Sequence, residues 1–158
     1  MQLKRGCRLW WLLLPVIAVD RLCKLAAIAA LAPHGVQTAI PGILSWAFVK
    51  NTGAAFGILS GNWLLPLLTA ALIIALLVFL LHRPEADALL RTGLWLIIGG
   101  GLGNLYDRIV YGSVTDFIEP LFVRFAVFNL ADVAICVGAC IAAIAMLIDE
   151  RRKVTSDE

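Results

Sequence analysis

Histidine is scarce in this chain of 158 residues: only His34 and His82 occur. A histidine-based zinc site and a serine–histidine pair both need histidines that can reach the other residues of the site. The topology predicted from the basic residues places these two on opposite sides of a membrane, so neither kind of site is expected. The four cysteines show no metal-like spacing, and we interpret Cys136 and Cys140, one helical turn apart in an apolar run, as packing residues.

Charged residues are also few, at 15% of the sequence, whereas 61% of the residues are hydrophobic. A soluble domain of this size could not bury so much apolar surface. The composition therefore predicts a single polytopic membrane domain over residues 1–158. We expect membrane lipids, and no nucleic acid, among its partners.

The apolar segments predict four transmembrane helices, at about residues 9–30, 63–82, 89–110 and 128–149. The segment 33–62 is rich in glycine and proline and contains short stretches suited to β-strands. The predicted fold class is thus an all-α membrane protein with four transmembrane helices and a small extracytoplasmic β-like layer between helices 1 and 2. The polar residues from about 151 to 158 are predicted to be disordered.

The basic residues predict the orientation of the chain in the membrane. Eight of them lie on one side, and three lie on the other. The eight are Lys4, Arg5, Arg8, Arg83, Arg91, Arg151, Arg152 and Lys153, and the three are Lys50, Arg108 and Arg124. The positive-inside rule then places both termini in the cytoplasm, so the 33–62 layer and the loop after the third span face outward together.

Two carboxylates lie where apolar helices meet a polar loop: Asp116 after the third span and Asp132 at the start of the fourth. Ionisable groups are costly in membranes, so such positions indicate a function. Two carboxylates held close in a partly desolvated place share a proton, and one can act as a base on water while the other acts as an acid. On chemistry alone Asp107, Glu119 and Asp20 compete for these roles, but Asp116 and Asp132 flank one loop and are preferred.

Three other features have both a structural and a functional interpretation. Asp20 and Lys24 are one helical turn apart, and this spacing allows either a structural ion pair or a pair that supports a site near the outer surface. Asn51-Thr-Gly53 resembles the Asp-Thr-Gly signature of soluble aspartic proteases, but asparagine supplies no carboxylate, and Asn51 can equally be a turn former. Gly99 and Gly103 form a small-xxx-small pair typical of close helix packing.

Five short blocks of sequence occur in a recognisable order. They are Asp20-Arg-Leu-Cys-Lys24, Asn51-Thr-Gly-Ala-Ala-Phe56, Gly103-Asn-Leu-Tyr-Asp-Arg108, Gly112-Ser-Val-Thr-Asp-Phe117 and Phe128-Asn-Leu-Ala-Asp132. Together they resemble the bacterial lipoprotein signal peptidase family (signal peptidase II). The resemblance implies an aspartic endopeptidase of the bacterial cytoplasmic membrane with no cofactor and no metal. It would cleave diacylglyceryl-modified prolipoproteins on the N-terminal side of the lipidated cysteine and would be inhibited by globomycin; we expect a monomer.

The resemblance also implies which residues form the site. Asp116 and Asp132 take the positions of the catalytic pair. The positions that bind substrate or support the acids fall on Asn51, Gly53, Asn104, Arg108, Asn129, Asp20 and Lys24. The chain departs from the family pattern at Arg21, where glutamine is common, and in the short segment 117–128. The resemblance therefore does not predict the detailed shape of the substrate cleft.

Two functions of other classes also fit part of the sequence. An ion-coupled transporter could use Asp20, Lys24 and Asp132 as relay groups in the membrane, but it predicts two repeated halves, which the sequence does not show. A non-catalytic assembly subunit would explain Gly99 and Gly103 through packing with partner helices. It would leave the two outward carboxylates unexplained.

Overall fold

The computed structural model describes residues 9–53, 63–83 and 85–156. In these residues the chain forms four α-helices and three β-strands. The helices are α1 (Leu13–Leu31), α2 (Leu64–His82), α3 (Ala88–Tyr111) and α4 (Leu130–Ser156), and the strands are β1 (Gln37–Ile40), β2 (Leu44–Asn51) and β3 (Val114–Pro120). The architecture is therefore mostly helical with one small sheet, which confirms the predicted fold class.

Three helices in the described part of the chain are long and apolar enough to cross a membrane: Leu64–His82, Ala88–Tyr111 and Leu130–Arg152. Helix α1 has 19 residues and carries Asp20, Arg21 and Lys24 near its middle. Asp20 and Lys24 are buried against the other helices, whereas Leu14 and Leu22 are each 65% exposed. Helix α1 thus turns its charges inward and presents apolar side chains outward, as a helix in contact with lipid does.

The sheet is antiparallel with the strand order β1-β2-β3. Strands β1 and β2 lie in the segment predicted as an extended layer, whose residues 54–62, including Phe56, are outside the described part. Strand β3 follows α3 and pairs along β2 from Leu44↔Pro120 to Asn51↔Val114. The layer is therefore not confined to the connection between the first two helices, as predicted, because a strand from the loop after α3 completes it.

Glycines allow α3 to approach both α1 and α4 closely. A Cβ atom added at Gly103 would lie 2.7 Å from Asp20 Oδ2, and one at Gly99 would clash with a valine of α1. A Cβ at Gly93 would lie 2.6 Å from the carbonyl oxygen of Gly138. The predicted packing role of Gly99 and Gly103 is confirmed, and the contact between α3 and α4 uses Gly93 and Gly138, a second glycine pair that was not predicted.

Helix α4 continues to Ser156, where the sequence predicted disorder from about residue 151. Thr155 Oγ1 donates a hydrogen bond of 2.7 Å to the carbonyl oxygen of Arg151 within this last part. Glutamate, arginine and lysine are good helix formers, and adding them to a helix that already exists requires no new nucleation. The polar composition therefore did not end the helix at the apolar boundary.

Candidate active site

The start of α4 is fixed by a reciprocal cap between Asn129 and Asp132. Asn129 Oδ1 accepts the backbone N–H of Asp132 at 3.0 Å, and Asp132 Oδ2 accepts the backbone N–H of Asn129 at 3.2 Å. Asp20 Oδ1 accepts the next free N–H, that of Ala131, at 3.0 Å. Asn129 thus caps α4, and the Asp132 carboxylate lies in the first turn, where the helix dipole favours negative charge.

Asp116 lies on β3, and its side chain is held by two amides. Asn51 Nδ2 donates to Asp116 Oδ2 at 2.9 Å, and Asn129 Nδ2 donates to Asp116 Oδ1 at 2.6 Å. The Asn51 side-chain oxygen accepts the backbone N–H of Gly53 at 3.0 Å, which orients its amide. The end of β2, the strand β3 and the start of α4 therefore meet at this carboxylate, which is only 2% exposed.

Asn104 on α3 connects the helices to the same network. Its Nδ2 donates to Asp132 Oδ1 at 2.7 Å. Its Oδ1 accepts from Lys24 Nζ at 2.9 Å and from Asn129 Nδ2 at 3.2 Å. The two aspartates thus belong to one hydrogen-bonded cluster with four of the predicted supporting residues, Asn51, Asn104, Asn129 and Lys24.

Both aspartates line a cavity of about 460 Å³, which is within the range of ligand-binding pockets. Its other polar lining residues are Asn51, Asn104 and Arg108. The remaining lining residues are Val114, Phe125, Ala126, Val127, Phe128, Val133, Cys136 and Val137. Cys136 was predicted to be a packing residue, but it lines the cavity one turn beyond Asp132. The two carboxylates lie at the polar end of a cavity that is otherwise apolar.

Arg108 connects this polar end to the loop that follows β2. Its Nη2 donates to the carbonyl oxygen of Gly53 at 3.1 Å, and its Nη1 donates to that of Asn104 at 3.4 Å. The predicted residues Gly53 and Arg108 are therefore in direct contact. The guanidinium group also supplies a positive charge near the two aspartates.

The carboxyl group of Asp116 has a strongly perturbed acidity. Its burial raises the pKa of Asp116 to about 6, although the hydrogen bonds from Asn51 and Asn129 act in the opposite direction. The negative charge of Asp132 raises this pKa further, and the positive charge of Lys24 lowers it. Near neutral pH, Asp116 is thus able to exchange a proton, which is what a general acid or base requires.

Behind the cavity, Asp20 and Lys24 belong to a buried cluster of charges. Lys24 Nζ lies 2.8 Å from Asp20 Oδ2 and 2.9 Å from Asp107 Oδ2. Arg21 Nη1 lies 3.1 Å from Asp107 Oδ1, and Arg21 Nη2 donates to the hydroxyl of Tyr111 at 2.6 Å. The structural and functional interpretations of Asp20 and Lys24 are therefore compatible, because the ion pair also reaches the site through Asn104.

Asp107 and Glu119, which compete with the preferred pair on chemistry alone, contact other residues. Asp107 is paired with Arg21 and Lys24, and Glu119 accepts a hydrogen bond from Ser45 on the neighbouring strand. Neither of them is among the described residues that line the cavity. The role of Arg21 as a partner of Asp107 was not predicted, and the only signal in the sequence was the departure of Arg21 from the family pattern beside Asp20.

The described residues contain no group of three or more histidine, cysteine, aspartate or glutamate side chains placed to hold a metal ion. His34 and His82 each contact a backbone carbonyl oxygen one turn earlier in the chain, at 3.0 Å and 2.9 Å. The arrangement offers carboxylates and amides for chemistry, and these suit acid–base catalysis on a bound water.

Residues 12–148 match the family profile described as signal peptidase (SPase) II. The chain belongs to the signal peptidase II family. The lipoprotein signal peptidase of Syntrophomonas wolfei subsp. wolfei is 40% identical over 146 residues, which cover 92% of this chain and 97% of that protein. The lipoprotein signal peptidase of Gloeobacter violaceus is 37% identical over 145 residues, with coverage of 90% and 83%.

Solved structures of bacterial membrane enzymes share the fold of this signal peptidase II family member. One, determined by the in meso method at 2.3 Å resolution, has a TM-score of 0.80 and 31% identity, and the match covers 89% of this chain and 88% of the other. A second, at 1.9 Å resolution, has a TM-score of 0.76 and 30% identity, with coverage of 85% and 89%. Membership in the family and the apolar helices together make the chain a membrane peptidase of lipoprotein processing.

Proposed function

We propose that this signal peptidase II family member is an aspartic endopeptidase with Asp116 and Asp132 as its catalytic pair. One observation carries the proposal: both carboxylates line the same cavity, and Asn129 contacts both of them. The raised pKa of Asp116, about 6, also supports it, since an aspartic mechanism needs one carboxyl group whose pKa lies well above that of an ordinary carboxyl group.

In the proposed reaction, a water molecule bound between the two carboxyl groups attacks the scissile carbonyl carbon. One carboxylate takes a proton from the water while the other carboxyl group donates its proton to the carbonyl oxygen. The amides of Asn51, Asn104 and Asn129 hold the carboxyl groups in place. Arg108 and the backbone at Gly53 are proposed to position the substrate backbone at the polar end of the cavity.

The proposed substrate is a diacylglyceryl-modified prolipoprotein, cleaved on the N-terminal side of the lipidated cysteine. The cavity supports this choice because most of its wall is apolar, from residues 125–128 and from Val133 and Val137 of α4. A lipidated segment can place its apolar part against this wall while the scissile amide lies beside the carboxylates. Globomycin is proposed to inhibit the enzyme from the same cavity.

We further propose that the enzyme is a monomer in the bacterial cytoplasmic membrane, with α1 as a fourth transmembrane helix. The distribution of basic residues supports an orientation with both termini in the cytoplasm and the site at the outer face. The inward position of the α1 charges supports contact of that helix with lipid.

The catalytic pair is tested by Asp116→Asn and Asp132→Asn in the full-length protein, with a diacylglyceryl-modified prolipoprotein as substrate. Each variant should insert normally and lose cleavage by more than about 100-fold, because each removes a proton-transfer group. Glu119→Gln is the matched control, since this carboxylate is held by Ser45 outside the cavity, and it should keep globomycin-sensitive cleavage. Near-normal cleavage by either aspartate variant would refute the pair.

A further inference from the structure

Lys24 is completely buried, and its ammonium group has three partners. Nζ lies 2.8 Å from Asp20 Oδ2, 2.9 Å from Asp107 Oδ2 and 2.9 Å from Asn104 Oδ1. An ammonium group has three N–H donors and no acceptor. Asn104 must therefore present its side-chain oxygen, and not its NH₂ group, to Lys24.

The orientation of the Asn104 amide decides whether Asp132 Oδ1 faces a hydrogen-bond donor or an acceptor. With the oxygen facing Lys24, the NH₂ group faces Asp132 Oδ1 at 2.7 Å and donates to it. The other carboxylate oxygen accepts the backbone N–H of Asn129, which cannot be reversed. Both oxygens of Asp132 thus accept hydrogen bonds, one from Asn104 on α3 and one from the backbone N–H of Asn129, and the carboxylate lies in the first turn of α4.

Asp116 has a different environment. It lies on a strand, away from a helix N-terminus, and it is 2% exposed, whereas Asp132 is only partly buried. Its two donors, from Asn51 and Asn129, do not overcome the effect of burial, which raises the pKa of Asp116 to about 6. Of the two carboxyl groups, Asp116 is thus the one whose surroundings favour the neutral form.

We infer that Lys24 is a positioning residue that acts through Asn104: by fixing the orientation of this amide it keeps Asp132 ionised and leaves the shared proton on Asp116. The inference rests on the proposed function. It assigns Asp132 as the base that takes the water proton, and Asp116 as the acid that protonates the carbonyl oxygen. When the C–N bond breaks, Asp132 gives its proton to the amine and Asp116 recovers one from the hydroxyl group, so both return to their starting states.

Charged side chains on four elements face this network. They are Asp20 and Arg21 on α1, Asp107 and Arg108 on α3, Asp116 on β3 and Asp132 on α4. Removing the charge of Lys24 alone would leave an excess negative charge in the buried cluster. The double variant Lys24→Met/Asp20→Asn avoids this, and asparagine at position 20 keeps an oxygen that can accept the Ala131 N–H.

The test is the pH dependence of kcat/KM for cleavage by the full-length protein. In Lys24→Met/Asp20→Asn only the 3.2 Å hydrogen bond from Asn129 Nδ2 still holds the Asn104 oxygen. The amide can then rotate and present this oxygen to Asp132, which favours the protonated acid. The acid limb of the profile should therefore move to higher pH by about one unit. The matched control Asp20→Asn keeps the bond from Lys24 to Asn104, and its acid limb should not move upward. If the acid limb of the profile does not move in the folded double variant, the proposed positioning role of Lys24 is wrong.

A second measurement does not depend on the folding of the Lys24 variant. The carboxylic-acid C=O stretch is followed by infrared difference spectroscopy below pH 6 in three proteins: the unsubstituted protein, Asp116→Asn and Asp132→Asn. The band should disappear in Asp116→Asn and persist in Asp132→Asn, and the opposite pattern overturns the inference. If both aspartate variants are inactive while the band belongs to Asp132, only this inference fails; if both variants still cleave, the proposed function fails.

Discussion

The side-chain amide of Asn129 donates to the Asp116 carboxylate at 2.6 Å. The oxygen of the same amide accepts the backbone N–H of Asp132 at 3.0 Å, which orients the NH₂ group towards Asp116. Asn129 is fully buried between the two aspartates. One side chain therefore serves both as the cap of α4 and as the spacer of the proposed catalytic pair.

These two roles of Asn129 can be separated by substitution. Asn129→Ala loses the cap and should destabilise the protein by about 1 kcal/mol, whereas Asn129→Ser keeps a capping oxygen and should retain most of the stability. Both variants lose the N–H donor to Asp116, so both should cleave prolipoprotein more slowly. Thermal unfolding and cleavage rates measured on the same preparations test this. Full activity in Asn129→Ser would mean that the donor to Asp116 is dispensable.

The buried carboxyl group of Asp116 should make stability depend on pH. Its pKa rises from the ordinary value of 3.8 to about 6 in the folded state, so the folded state holds the proton more tightly than the unfolded state. The shift therefore adds up to about 3 kcal/mol to the free energy of unfolding. This contribution is complete below about pH 4 and is lost as the pH rises through 6. Thermal unfolding between pH 4 and pH 7.5 should show this decline in the unsubstituted protein and a smaller decline in Asp116→Asn. Equal slopes in the two proteins would contradict the shift.

The glycine contact between α3 and α4 should be sensitive to a single methyl group. A Cβ at Gly138 would lie 2.5 Å from the backbone carbonyl oxygen of Gly93, so Gly138→Ala forces the helices apart. We expect a destabilisation of about 1–3 kcal/mol, measured by thermal unfolding in detergent. The control is Gly101→Ala, whose Cβ would meet only the end of the Ile73 side chain at 3.3 Å, and it should cost much less. Equal effects of the two substitutions would show that this contact is not tight.

Cys136 gives a chemical probe of the cavity. Its thiol lines the cavity one turn beyond Asp132, so a bulky maleimide attached there should block cleavage. Cys136→Ala should be resistant to the reagent, and globomycin should protect the unsubstituted protein from it. The matched control Cys140→Ala, which keeps the thiol at position 136, should remain sensitive. Inhibition that persists in Cys136→Ala would place the sensitive thiol elsewhere.

The family pattern located the candidate site more fully than the residue chemistry did. Chemistry alone left Asp107 and Glu119 in competition with the preferred pair. The structure places Asp107 in ion pairs with Arg21 and Lys24, and it places Glu119 beside Ser45. No local pattern reveals these partners, because the two members of each pair are far apart in the sequence.

The sequence by itself determined the features that depend on neighbouring residues. Apolar runs predicted the helices, and the spacing of Asp20 and Lys24 predicted their ion pair, because each helix turn brings residues three and four apart together. Only the tertiary structure decided that β3 joins the sheet and that Lys24 reaches Asp132 through Asn104. Strand pairing and side-chain contacts between helices form only after the chain has folded back on itself, so local sequence carries little record of them.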